Sequence, residues 1–249
     1  NNIERATLAF GEFDNIDHAK DIIATLIMQA GGDIVGRLED GKLYAQLSPQ
    51  GSIDNINPTQ SALRFYAEFA DPVKSVYSWN RSLPTSLEAF AQGKLAMYIG
   101  YASEVREIQT KNAHLNFDAA PLPQIRSGEQ KRTLTFGTLH TLAVPKAAQN
   151  IYGGQEIAKL LTDTEASQLF AETIGTPSPR RDLLSKEPTD PLDLIFRNAA
   201  LISRAWLDPN AEESDKIFRR MIGDVTSGAL RLSDTIQRAN QELRVLVNE

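Results

Sequence analysis

Glu88-Ala89-Phe90-Ala91-Gln92-Gly93-Lys94-Leu95-Ala96-Met97-Tyr98-Ile99-Gly100 reads as a short helix, a turn and a strand in immediate succession. Thr85-Ser86-Leu87-Glu88, just before it, has the spacing of a capping box, in which the hydroxyl and the carboxylate each satisfy a free amide at the helix start. Phe90 gives the helix an apolar anchor. Gly93 closes it, because glycine accepts the left-handed backbone such a turn requires. From Lys94 to Gly100 the pattern predicts a strand with Leu95, Met97 and Ile99 on one side. A helix feeding directly into a strand is a unit of an α/β fold, and the remaining signals also alternate.

Upstream, Thr7-Leu8-Ala9-Phe10 predicts a short strand running into Gly11. Ala19, Ile22, Ile23, Leu26, Ile27 and Ala30 recur at helical spacing and give one apolar face. Asn15 or Asp17 can cap that helix, and Gly31-Gly32 ends it. Asn57-Pro58 is a cap followed by proline at the first helical position, opening a helix that reaches Asp71-Pro72. Its expected buried face is Ala62, Leu63, Tyr66, Phe69 and Ala70.

Downstream, a helix starts near Ser103, and Asn116 to Pro123 is extended. Residues 126–133 read as a polar exposed loop, and Leu134 to Val144 as a strand stopped by Pro145. The remainder is mostly helical. Ile157, Ala158, Leu160 and Leu161 form one face, and Ala166, Leu169, Phe170 and Ile174 the next. Asp190-Pro191 repeats the cap-plus-proline signal before Leu194, Ile195, Ala199 and Ile202. Ile217, Phe218, Met221, Ile222 and Val225 mark a helix ended near Gly228. Ser233 is expected to cap the last one, with Ile236, Ala239, Leu243 and Leu246 inward.

Composition narrows the function classes. The chain has 249 residues, 41% of them hydrophobic and 23% charged, which suits a sizeable core and excludes disorder as the main state. A net charge of -6 argues against nucleic acid as the main partner, since phosphate neutralisation needs a basic face. No apolar run approaches the ~18–20 residues of a spanning helix. The absence of cysteine removes disulfides, thiolate nucleophiles and cysteine metal sites. Asn1-Asn2-Ile3-Glu4-Arg5 lacks the basic and apolar regions of a leader, which fits a cytoplasmic protein or a chain starting after a removed leader.

The common catalytic patterns are missing. There is no phosphate loop, no Gly-x-Gly-x-x-Gly after a strand, no His-Glu-x-x-His and no Gly-x-Ser-x-Gly. His18, His114 and His140 lie far apart, each without a second ligand at helical spacing, and read as surface or structural residues. Carboxylates are plentiful, but nothing singles out an acid–base pair. No catalytic residue, metal or cofactor is expected.

The opening stretch resembles the "aF-x-x-Gly-Lys-x-Ala-Met-x-x-x-Gly" segment of the extracellular solute-binding proteins of family 1, the maltose-binding-protein-like receptors of ABC importers. Ala120-Pro121-Leu122-Pro123 is similar to the family's "x-x-Pro-x-Pro" strand end. Phe136-Gly137-Thr138, then Leu142-Ala143-Val144-Pro145-Lys146, is similar to its aromatic–Gly crossing strand. Glu156-Ile157-Ala158-Lys159-Leu160-Leu161-Thr162 with Glu165-Ala166 and Gly175-Thr176-Pro177-Ser178-Pro179-Arg180-Arg181-Asp182 follow in the family's order. Asn15 through Gly32 resembles its ligand-side loop and helix. Nearly the whole chain is covered.

The resemblance implies a class II periplasmic-binding-protein-like α/β fold, two lobes joined by crossing hinge strands. Residues 1–136 and 188–249 would be the C-terminal lobe. Residues 137–187 would be a hinge strand and the helical remainder of an N-terminal lobe, whose first β/α unit has no counterpart here. Apolar faces within 138–187 are then expected to be exposed. It further implies extracytoplasmic binding of a small solute, with a carbohydrate the expected class, for delivery to ABC transporter permease subunits. Any membrane attachment would come through an upstream anchor.

A sugar presents hydroxyls and an apolar CH face, so its site needs carboxamides or carboxylates and an aromatic plate. The candidates are Asn15, Asp17, Trp79, Tyr101, Ser103, Phe136, Gly137, Thr138 and Trp206. Asn15 or Asp17 can equally be a helix cap. Trp79 and Trp206 can equally be packing residues, and Gly137 a hinge or a static bulge. Tyr101 stands where sugar binders of the family often carry tryptophan. A carbohydrate-active enzyme or a non-catalytic interaction fragment are the competing readings.

Overall fold

The computed structural model describes residues 3–48, 57–126, 132–188 and 190–248. Strand β1 (Ala6–Leu8) leads through a loop into helix α1 (Ala19–Gln29). A hairpin follows, β2 (Val35–Arg37) and β3 (Leu43–Ala45), closed by Leu38 and Lys42 around Asp40-Gly41. Helix α2 (Pro58–Ala67) begins as expected, with Asn57 Oδ1 accepting from the Thr59 and Gln60 amides. It gives way to a 3-10 turn at Glu68–Ala70. Helix α3 (Ser86–Ala91), the Gly93 turn at φ +72° and β4 (Leu95–Met97) realise the unit around Phe90. Phe90 stacks on Tyr98 and meets Phe117 edge-on.

A 3-10 turn at Ala102–Glu104 runs into α4 (Val105–Lys111). Strand β5 (Thr135–Phe136) precedes four helices: α5 (Ile151–Leu161), α6 (Thr164–Ile174), α7 (Arg181–Leu184) and α8 (Pro191–Leu201). Strand β6 (Ser203–Arg204), α9 (Ala211–Ser227) and α10 (Leu232–Leu246) complete the chain. β1 pairs with β4 and β5 with β6, both in parallel, an arrangement that needs the long connections present between them.

The core gathers where α1, α2, α9 and α10 meet. Ile23, Ile27, Leu63, Tyr66, Phe218, Met221, Ile222, Ile236 and Leu243 are all buried there. Tyr66 donates its hydroxyl to the Glu12 carbonyl (2.7 Å), which ties the loop after β1 to α2. The buried Gln29 amide donates to the carbonyls of Pro123 (3.2 Å) and Leu134 (3.0 Å) and holds down the segment before β5.

Several expectations need correction. The strand expected over 134–144 shrinks to Thr135–Phe136, because β6 offers only two residues to pair with and Leu139 and Leu142 stay exposed. The strand expected over 94–100 is Leu95–Met97. It pairs with β1 alone, so Leu95 is buried while Met97 is exposed. Ser233 does not cap the last helix; Arg231 occupies that position. Of the polar loop at 126–133, residues 127–131 lie outside the described residues. Helices α5 and α6 form where expected, but Ile157, Leu160, Leu169 and Phe170 on their apolar faces are exposed, as foreseen for this segment.

Candidate functional site

The loop between β1 and α1 is the centre of the site, and its residues divide into braces and presenters. Asn15 donates from its amide to the carbonyls of Asn80 (2.9 Å) and Leu83 (3.0 Å). Asp17 accepts from the Leu87 amide (2.8 Å) and the Ser86 hydroxyl (2.9 Å), while its own amide donates to that hydroxyl. Neither residue caps α1. Both pin this loop to the start of α3, where Asp17 reinforces the cap made by Thr85. Trp79 is 1% exposed and packed in the core, so it presents no ring face to a ligand. An indole in a polar loop resembles a sugar plate in sequence, but Ser78 anchors this turn by donating to the Leu8 carbonyl, which turns the ring inward.

The N-cap of α1 is His18, held at φ 60°, ψ 26°, the one positive-φ residue other than glycine among the described residues. Such a backbone costs a non-glycine side chain energy and persists where surroundings enforce it. His18 Nε2 lies 2.7 Å from Glu104 Oε1, which also accepts from the Tyr98 hydroxyl at 3.1 Å. Glu104 Oε2 accepts from the Tyr101 amide at 2.6 Å. Tyr101 donates its hydroxyl to Asp21 Oδ2 (2.7 Å), has the Thr138 side chain nearby, and meets the His18 ring edge-on at 4.7 Å.

The charge states follow from these contacts. Burial works to lower the His18 pKa, but the hydrogen bond and charge of Glu104, with Asp21 and Asp17, outweigh it and raise it. Burial works to raise that of Glu104, but His18, the Tyr101 amide and Tyr98 hold it below the ordinary carboxylate value. Burial, then the Asp21 carboxylate, pushes the Tyr101 hydroxyl far up, so it stays protonated.

A cleft of about 310 Å³ adjoins this cluster. Phe13, Ile16 and Ala19 contribute apolar surface, His18 and Asp21 lie on the side of the cluster, and Asp215 and Arg219 reach in from α9. The Arg219 guanidinium sits 4.8 Å from the centre of the Phe13 ring and pairs with Asp14 and Asp215. Lys20 donates to Asp208 (3.2 Å), the Ala211 carbonyl (3.1 Å) and Ser214 (3.0 Å), which fastens the loop carrying Trp206 to α1. Trp206 is half-buried, stacked on Phe218. No group of metal-ligating side chains occurs among the described residues.

Ser103 lies exposed on the 3-10 turn beside Tyr101. Phe136 packs against the core, and the Gly137 amide donates to the Arg204 carbonyl (3.0 Å). A Cβ on Gly137 would stand 2.7 Å from Ser203 Cβ, so glycine here serves the close approach of β5 and β6. Thr138 is exposed and reaches Tyr101. The structure therefore brings Tyr101, Ser103 and Thr138 into one neighbourhood. Reading the sequence missed His18, Asp21, Tyr98 and Glu104. No local signal marks them, since His18 and Glu104 are 86 residues apart.

Residues 12–192 match the family described as bacterial extracellular solute-binding protein. No curated protein matches the chain. Among solved structures, an ABC transporter solute-binding protein from Thermotoga lettingae TMO bound with alpha-D-tagatose is 17% identical, with a TM-score of 0.64 over 98% of this chain and 60% of that one. A maltose/maltodextrin-binding domain from Bdellovibrio bacteriovorus bound to maltotriose is 19% identical, with a TM-score of 0.64 over 100% of this chain and 60% of that one. The chain thus has the periplasmic-binding-protein-like fold and spans 60% of the length of these neighbours. With the family match covering most of its length, the chain belongs to the bacterial extracellular solute-binding proteins.

Proposed function

We propose that this chain binds a small carbohydrate outside the cytoplasm and hands it to the permease subunits of an ABC transporter. The observation that carries the reading is Tyr101 packed against His18 and Asp21, two residues that line the cleft: its hydroxyl donates to Asp21, which leaves the ring as what it can offer a ligand. A ring face suits the CH surface of a sugar, and nearby carboxylates and hydroxyls suit its OH groups. Tyr101, Ser103, Thr138 and Trp206 are the proposed contacts, with Phe136 and Gly137 shaping the crossing strand. Asn15, Asp17 and Trp79 brace the site from behind. The sugar ligands named in the two structural neighbours support the same class.

In this reading residues 1–136 and 188–249 form one lobe and 137–187 belong to the other. Closure of lobes about the crossing strands would complete the contacts. One hydrogen bond nets only ~1 kcal/mol, so micromolar affinity requires several contacts together with ring stacking. Calorimetric titration against a panel including maltotriose and D-tagatose tests this. Saturable heat from one or more sugars, without turnover, is the expected result. A folded protein that binds none of them, or that hydrolyses a glycoside, would reject it.

A further inference from the structure

We propose that Glu104 is the positioning residue of this site: one carboxylate that locks His18, Tyr98 and the Tyr101 backbone together and so fixes the plane of the Tyr101 ring. The inference rests on the reading of Tyr101 as a ligand contact. It assigns the control of that contact to a residue with no need to touch the ligand.

Three elements converge on Glu104. Oε1 takes His18 from the start of α1 at 2.7 Å and Tyr98 from the end of the β4 segment at 3.1 Å. Oε2 folds back onto the Tyr101 amide at 2.6 Å. The space for this fold-back exists because position 100 is glycine. A Cβ there would stand 2.2 Å from Glu104 Oε2 and 2.3 Å from Tyr98 Cε1. The Tyr101 ring is then held at its far end by Asp21 and at its edge by His18. Glu104 thereby fixes both the backbone from which the ring projects and the imidazole against which it rests. The left-handed backbone of His18 is explained by the same contact, since it aims the imidazole at Glu104.

The charges around the cluster are one-sided. Asp17 and Asp21 face His18, and Glu107 and Asp17 lie near Tyr98. His18 is the one titrating cation set directly among them in this cluster, so a charged Glu104 and a protonated His18 form a pair that other neighbours do not replace. In Glu104→Gln the amide oxygen can still accept from the Tyr101 amide. The NH2 group then faces His18 and Tyr98, and it suits a neutral imidazole while opposing a protonated one.

The test pairs a ligand-free reading with a binding reading. Tyr101 ring resonances, assigned through Tyr101→Phe, are followed by NMR in wild type, Glu104→Ala and Glu104→Gln. Affinity for maltotriose and D-tagatose is measured by calorimetry across the histidine range. In Glu104→Ala the ring resonances shift and broaden, and affinity falls about tenfold, the loss expected from one charge-assisted hydrogen bond. Glu104→Gln recovers most of that loss above the His18 midpoint, and its pH dependence is inverted: wild type binds better with His18 protonated, the glutamine variant with His18 neutral. If Glu104→Ala does not fold, the inverted profile and the lowered His18 midpoint of Glu104→Gln decide alone. Unmoved Tyr101 resonances in a folded Glu104→Ala, or parallel pH profiles, overturn the proposal. Displaced Tyr101 resonances in a protein whose wild type binds neither sugar would instead remove the carbohydrate reading, and the positioning role with it.

Discussion

Replacing Tyr101 separates two jobs that one side chain performs. Its hydroxyl donates to Asp21 at 2.7 Å, and its ring rests edge-on against His18. Tyr101→Phe removes only the first. A hydrogen bond to a charged group is worth ~1.5–3 kcal/mol, and partial exposure brings this one below that range, to about 1 kcal/mol of folding stability. The ring survives, so affinity should stay within about threefold of wild type, an energy below one hydrogen bond. Tyr101→Ala removes the ring as well, and a lost aromatic contact of about 1–2 kcal/mol corresponds to a drop of about five- to thirtyfold in affinity. Urea denaturation gives the stability change and calorimetry with a bound sugar gives the affinity. The two variants should separate by affinity far more than by midpoint. If Tyr101→Phe loses as much affinity as Tyr101→Ala, the hydroxyl meets the ligand and the ring-face account is wrong.

Other outcomes can be stated more briefly. Because the His18 pKa is raised above 6.5, its contribution to stability is fully present below pH 6.5 and lost as pH rises through the folded value. The Glu104 pKa is lowered from 4.5, so its contribution is present above pH 4.5 and lost as pH falls through the folded value. His18→Asn, which tolerates the left-handed backbone, should flatten the alkaline slope of urea midpoints; an unchanged slope would exclude the pair as its source. Trp79→Ala should destabilise the protein by about 3–5 kcal/mol, as removal of a buried large aromatic does, and a loss under about 1 kcal/mol would contradict its place in the core. Asp17→Ala should lower stability by about 1–2 kcal/mol through the lost amide cap on α3, with Asp17→Asn retaining most of it by thermal melting.

What the sequence discloses here is local, and what it hides is pairwise. Asn57-Pro58, Thr85-Ser86, Gly93 and Asp190-Pro191 mark helix ends correctly because a cap is satisfied by atoms only a few residues away. The hairpin at Val35–Ala45 carries an Asp40-Gly41 turn, a local signal that helical periodicity does not reveal. The strand expected over 134–144 is longer than the Thr135–Phe136 strand observed, because alternation measures what a segment can do, while a strand exists only as far as its neighbour reaches. In the candidate site, Tyr101 is visible as an aromatic following glycine at a helix start. Asn15 and Asp17 were visible as polar residues ahead of a helix, yet they cap and brace a different one, 69 residues further on in the case of Asp17 and Ser86. Their sequence neighbourhood cannot encode that partner. His18 and Glu104 fail for the same reason in stronger form, since each looks unremarkable without the other.

In the proposed reading, the division between braces and presenters also accounts for how a purely binding site can be specific. Binding loses free energy to every side chain that must be ordered on contact, so a weak set of hydrogen bonds succeeds only if the ordering is already done. Here it is done from the core outward. Trp79 and Tyr66 are buried, Asn15 and Asp17 fasten the loop before α1 to α3, and Glu104 with Asp21 fastens Tyr101 to α1. The opposite segment is built differently. Helix α5 has no fully buried side chain, and Arg106, two residues beyond Glu104, reaches across to the Glu172 and Thr173 carbonyls at the end of α6. Elements with few buried apolar contacts open more readily than those in a core. In the proposed reading, a braced ring on one side and a segment with few buried side chains on the other, joined through β5 and Arg106, would be the mechanical asymmetry that closure of lobes needs.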